Sequence, residues 1–119
     1  MTTKIIVLHR FTGGTLLIRL EGPLTLSPAV NELKTRIEGL LSTKPATGLL
    51  LNLAGVSAID SAGIGELMKI YTFAIRRELR LVLVEVNPKI AEMLKITRLD
   101  SLFATFADEA SALRQIAQP

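Results

Sequence analysis

The sequence predicts an α/β domain built on a single mixed, largely parallel β-sheet, with an N-terminal hairpin and about four helices. Three observations predict it. Two β-like runs, Lys4–Phe11 and Thr15–Leu20, are joined by Gly13-Gly14, which is a hairpin signature. Two later runs, Leu49–Leu53 and Arg80–Val86, read as strands buried on both faces, as in a parallel sheet. Segments with helical apolar spacing alternate with these runs to the end of the chain, and such alternation places helices on a largely parallel sheet.

Each element follows from its residues. In the second run Leu16, Ile18 and Leu20 alternate with Leu17 and Arg19, so one face is apolar and the other mixed. Glu21-Gly22-Pro23 is expected to end that strand. Ser27-Pro28 then starts a helix, because a Ser hydroxyl caps free amides and Pro suits the first helical position. Val30, Leu33, Ile37, Leu40 and Leu41 continue it at helical spacing. A second helix is expected from Ser61, with Ile64, Leu67, Met68, Tyr71 and Ile75 as its inward stripe. Asn87-Pro88 opens a third helix through about Leu94. Leu102–Phe106 reads as a short edge strand, and Asp108 caps a last helix carrying Ala110, Leu113 and Ile116.

Composition narrows the function classes. The 119 residues make one domain, expected to span 1–119. Apolar residues reach 49% while aromatics are only 4%, so the chain folds around an aliphatic core. There is no Cys, which excludes disulfides, thiolate metal sites and a cysteine nucleophile, and fits a reducing cytoplasm. Ile5–Leu8 is too short for a secretory core, and no apolar run approaches the roughly 20 residues of a membrane span. A formal charge of +3 is mild for a nucleic-acid binder. Arg76, Arg77 and Arg80 are its one basic cluster, which either complements a helix C-terminus or binds phosphate. The expectation is a cytoplasmic protein without cofactor or metal, acting on neither nucleic acid nor membrane.

The chemistry lies in Asp60-Ser61-Ala62-Gly63-Ile64-Gly65, between a buried strand and a helix. Loops beyond the carboxyl ends of parallel strands are where α/β sheets bind ligands. Ser61 is expected to be the N-cap of the helix, its oxygen facing the amides of Gly63 and Ile64. Two glycines in a first turn are costly, since each loses about 0.8–1.0 kcal/mol against Ala in a helix interior. Either another molecule approaches the amides closely, or the helix end packs tightly on its own sheet. At 100° per residue Phe73 falls opposite the expected core stripe, flanked by Ile70, with Glu66 and Lys69 on the same outer face. Phe73 is then either a partner contact or covered by a neighbouring element.

A phosphate on Ser61 would add about −1.5 to −2 charges at pH 7. The helix N-terminus would partly stabilise it, while Asp60 and Glu66 would oppose it. An apolar partner pressed against this turn would have to desolvate a dianion, which is very unfavourable without a matching cation.

The string Asp60-Ser61-Ala62-Gly63-Ile64-Gly65, with Leu67, resembles the D-S-x-G-(I/L)-G-x-L signature of STAS-domain anti-sigma factor antagonists. The resemblance extends along the chain through the opening hairpin, the Glu21-Gly22-Pro23-Leu24 turn, the Leu49–Leu53 strand and Leu99 leading to Leu102-Phe103. It implies a STAS fold and a partner that is both anti-sigma factor and serine kinase. The unphosphorylated form binds that kinase and frees the sigma factor. Phosphorylation of Ser61 ends binding, and a phosphatase resets the cycle. The expected partner surface is Asp60, Ser61, Ala62, Gly63, Ile64, Gly65, Glu66, Lys69, Ile70 and Phe73, on a monomer or weak homodimer. Ser57 lies outside the motif and is the lesser acceptor. One departure bears on phosphorylation: many phosphorylatable relatives carry Asp where this chain has Thr25.

Two other functions compete. STAS domains also serve as subunits of lipid-transport ABC systems and beside anion-transporter membrane domains, where the same surface would bind constitutively and Ser61 would only cap. Hydrolysis by Ser61 would need His9 as its base, yet His9 sits on the first strand. The chain has no G-x-S-x-G elbow, P-loop or G-x-G-x-x-G, so it is read as a non-enzyme.

Overall fold

The computed structural model describes residues 4–117. β1 (Ile6–Thr12) and β2 (Thr15–Leu24) pair antiparallel. The turn between them needs two left-handed residues, and Gly13 and Gly14 supply φ of 52° and 81° without a Cβ clash. β3 (Gly48–Ile59), β4 (Arg80–Val84) and β5 (Ala104–Phe106) then add in parallel, so the strand order across the sheet is β1-β2-β3-β4-β5. The helices are α1 (Pro28–Asn31), α2 (Leu33–Thr43), α3 (Ser61–Arg76), α4 (Pro88–Ile96) and α5 (Glu109–Ala117).

The alternation of side chains along the strands divides the core in two. On one face Leu16, Ile18, Leu20, Leu49, Leu51, Leu53 and Leu83 meet Val30, Leu33, Ile37, Leu67, Ile70, Phe73, Ile90 and Leu94 from the first four helices. On the other, Leu17, Leu50, Val82 and Val84 meet Ala112 and Ile116 of α5. Fully burying such a side chain stabilises by about 1.5–3 kcal/mol, so the fold is held by its aliphatic layers. Asn52 is buried at the end of the second face. Its side-chain amide donates to Glu85 at 2.6 Å and Glu109 at 2.7 Å, and its carbonyl accepts from Ala54 N–H at 2.9 Å.

Several boundaries differ from expectation for local reasons. β2 continues through Glu21-Gly22-Pro23 to Leu24, with register irregularities at Arg19/Glu21 and Gly22/Pro23 that let a proline stay in the sheet. β3 runs six residues beyond Leu53, because its tail pairs with that extension. β4 stops at Val84, where Glu85 turns left-handed with φ 52°. β5 begins at Ala104 because Leu102 N–H is tied back to Leu99 O at 3.0 Å. The first helix breaks at Glu32, giving α1 and α2. The Ser27 cap is as expected, its oxygen accepting Val30 N–H at 3.1 Å. Asn87 caps α4 by accepting Ile90 N–H at 3.1 Å, and Asp108 accepts Ser111 N–H at 2.7 Å. In α5, Ala112 rather than Ala110 faces the core.

Candidate functional site

The tail of β3 delivers Asp60 in extended conformation, with φ −126° and ψ −172°, at the head of α3. Asp60, not Ser61, is the N-cap. One carboxylate oxygen accepts Gly63 N–H at 3.0 Å and the other accepts Leu26 N–H at 3.0 Å. These bonds, the Leu26 amide first and the Gly63 amide second, hold the Asp60 carboxyl below its usual range against a smaller desolvation effect. Asp60 wins the cap because it is the last extended residue, while Ser61 already has helical geometry as the first residue of α3. Ser61 is therefore exposed, and its hydroxyl makes no hydrogen bond among the described residues.

The two glycines of this turn have separate reasons. A Cβ on Gly63 would lie 2.0 Å from Leu24 O and 2.9 Å from Ile59 Cγ1, so Gly63 is required for packing against the sheet. A Cβ on Gly65 would meet nothing within 4 Å. Gly63 thus answers to the fold, and Gly65 leaves an open, flat place one helical turn beyond Ser61.

The phase of α3 differs from the expected one. Its buried residues are Gly63, Glu66, Leu67, Ile70, Phe73 and Ala74, whereas Ile75 is 59% exposed. Of the expected stripe only Leu67 is fully buried; Ile64, Met68 and Tyr71 are half-buried on the flank. Glu66, Ile70 and Phe73, expected on an outer partner face, are 2%, 0% and 6% exposed and cannot present their side chains to a partner. Phe73 is covered by neighbours, with Lys34 and Arg77 over its ring at 5.7 and 5.0 Å. Glu66 does structural work on α2: its Oε2 accepts Lys34 N–H at 2.8 Å, filling a cap that Glu32 does not provide, and its Oε1 pairs with Lys69 Nζ at 3.5 Å.

The surface that remains open comprises Ser61, Gly65 and Lys69 together with Thr72, Ile75 and Arg76, and Met68 half-buried among them. Spacings of three and four residues align Ser61, Gly65, Met68, Thr72 and Ile75 on one face. Ala62 and Ile64 are half-buried beside it. Leu26, held by Asp60, stands 72% exposed next to the turn. Sequence reasoning missed Leu26; its signal was an apolar residue in the turn before a Ser-Pro cap. A groove of ≈ 520 Å³ between α2 and α3 borders this face, lined by Lys34, Glu38, Gly65, Met68, Lys69 and others. Ser57 is exposed on β3, four residues before Ser61. Among the described residues no group of three or more His, Cys, Asp or Glu is placed to hold a metal. No helix of the described chain is long and apolar enough to cross a membrane.

The fold and site define a small α/β domain that displays a free serine hydroxyl on the first turn of a helix, at the carboxyl end of a parallel strand of a mixed sheet. The chain belongs to the STAS domain family, whose model matches residues 7–112. It is similar in fold to an anti-sigma factor antagonist from Mycobacterium paratuberculosis, at TM-score 0.81 and 19% identity over 99% of this chain and 98% of the other. The phosphorylated form of the Bacillus cell fate determinant SpoIIAA matches at TM-score 0.71 and 20% identity over 93% and 99%. A sulfate transporter family protein from Wolinella succinogenes matches at TM-score 0.71 and 19% identity over 88% and 86%. Antagonist and transporter proteins therefore share this architecture.

Proposed function

We propose that the chain is an anti-sigma factor antagonist, a binding module rather than an enzyme. Its unphosphorylated α3 turn docks on a cytoplasmic anti-sigma factor that is also a serine kinase, and phosphorylation of Ser61 ends the docking until a phosphatase restores it. The observation that carries this reading is the division between Asp60 and Ser61. Because Asp60 caps α3 and ties down Leu26, the Ser61 hydroxyl is spared for a kinase. A capping serine would have to leave its amides before reacting.

The docking surface is Asp60, Ser61, Ala62, Ile64, Gly65 and Lys69, extended by Leu26, Met68 and Thr72. Gly63, Glu66, Ile70 and Phe73 support it from beneath. Gly65 lets a partner's backbone approach the helix, and Leu26 offers an apolar anchor. A phosphate placed among Leu26, Gly65 and Met68 would bring about −1.5 to −2 charges into an interface that must lose water. Asp60 adds like-charge repulsion beside it. That Thr25 replaces a carboxylate in the neighbouring turn leaves Asp60 as the acid adjoining the acceptor.

The test is intact-mass and peptide mass spectrometry after incubation with ATP and the serine kinase encoded nearest its gene, beside the Ser61→Ala variant. One phosphate on Ser61, absent from the variant, is the expected result. No phosphate, with tight binding that survives Ser61→Ala, would replace the switch by constitutive docking of the kind a transporter subunit uses.

A further inference from the structure

β1 lies at one side of the sheet, and its outer edge pairs with no strand among the described residues. Monomeric proteins usually blunt such edges with proline, lysine, a bulge or short length. β1 is seven residues long, contains neither Pro nor Lys, and keeps unbroken register with β2 from Ile6↔Glu21 to Thr12↔Thr15. The opposite edge, β5, has only three residues. α5 packs on β3, β4 and β5, and on its side of the sheet Ile6 and Leu8 of β1 stay 42% and 48% exposed.

Backbone geometry fixes which groups are free. Thr12 and Thr15 flank a two-residue turn and so form a hydrogen-bonded pair. Alternation then points the amides and carbonyls of Val7, His9 and Phe11 away from β2. A second copy, related by a two-fold axis normal to the sheet and passing by Leu8, presents the same groups in antiparallel sense. Val7 of each copy meets His9 of the other in a hydrogen-bonded pair. Leu8 meets Leu8 in a non-hydrogen-bonded pair, where side chains come closest. Arg10 of one copy falls beside Ile6 of the other, which stands opposite Glu21. Arg10 is held inward, its guanidinium 3.4 Å from Glu109, whose carboxylate also meets Asn52 of β3, so it does not project across the join. Hydrogen bonds and apolar contact are both self-complementary in this one register.

The geometry points to a homodimer formed by antiparallel pairing of β1 with β1 of a second copy, which makes one continuous sheet. α3 packs on β3 and β4, so the dimer leaves both Ser61 turns open. It is a bivalent display of that turn, and it stands or falls independently of phosphorylation.

Sedimentation velocity on the full chain, from low micromolar to submillimolar concentration, tests this directly. A concentration-dependent dimer is expected. His9→Pro removes an outward amide but no bond to β2, and edge prolines of that kind are tolerated; association should weaken about tenfold or more. Leu8→Lys sets two cations against each other at the axis and should leave monomer. Circular dichroism checks that every variant folds. A wild type that is monomeric throughout, or a dimer untouched by both His9→Pro and Leu8→Lys, would overturn the proposal.

Discussion

The carboxylate of Asp60 holds the amide of Leu26 at 3.0 Å across 34 residues of sequence, while its other oxygen holds Gly63. One side chain thus fixes both the start of α3 and the loop beside it. Both bonds favour the ionised form, so the folded Asp60 carboxyl titrates below 3.8. A depressed folded value stabilises the protein above the unfolded value, and that stability is lost as pH falls through the folded one. Asp60→Asn keeps an acceptor but cannot titrate. In urea unfolding across pH, wild type should lose more stability than Asp60→Asn as pH drops below 3.8. Parallel curves would remove Asp60 from the acid response; Asp108, similarly lowered by the Ser111 amide, contributes equally to both proteins.

The glycines of the α3 turn should part company on substitution. Gly63→Ala drives a methyl into Leu24 O, and overpacking of this kind costs about 1–3 kcal/mol. Gly65→Ala meets nothing and should be neutral or stabilising by up to about 1 kcal/mol from helix propensity. Its effect should appear in partner affinity instead. Denaturant midpoints and a binding titration separate the two.

Ser61→Ala should change unfolding stability by less than about 0.5 kcal/mol, as surface substitutions do. A loss near 1 kcal/mol, the usual cost of removing a cap, would show that Ser61 and not Asp60 satisfies the turn.

Glu66 gives a test of the α2 cap. Glu66→Ala leaves the Lys34 amide without its acceptor, a cost of about 1–3 kcal/mol. Glu66→Gln retains an oxygen that can accept the same bond and should recover most of it. Equal losses in thermal unfolding would assign the effect to charge rather than to the hydrogen bond.

Phe73→Ala discriminates core from surface. A buried Phe costs about 3–5 kcal/mol on truncation, whereas an exposed partner contact would leave the free protein nearly unchanged. Denaturant unfolding should show the larger loss.

The sheet, its hairpin, the Ser27, Asn87 and Asp108 caps and the Asp60–Gly65 turn were legible, because turn glycines, Ser-Pro and Asn-Pro caps and aliphatic runs are local signals. The extension of β3 was not. Ala54, Gly55, Ser57 and Ala58 carry no strand pattern, and the stretch becomes a strand only because β2 pairs with Gly55, Val56, Ala58 and Ile59. The rotation of α3 was hidden for a different reason. Apolar residues occupy most of its circumference, and Glu66 looked like a solvent marker when it is a buried acceptor for another helix. The cap was misassigned by one residue because Asp60 and Ser61 are both good capping types, and only the backbone angles choose between them.

Strand order that equals chain order has a consequence for how the molecule assembles. Each new strand is laid beside the one made just before it, so the sheet can grow outward from the Gly13-Gly14 turn without threading any strand between two others. Such sequential growth keeps loop-closure costs small. The exception comes at the end: Ile116 on α5 reaches back over Gly48, where even a methyl group would lie 2.5 Å from it. The second face of the sheet is therefore sealed last, by a helix that follows every strand it covers.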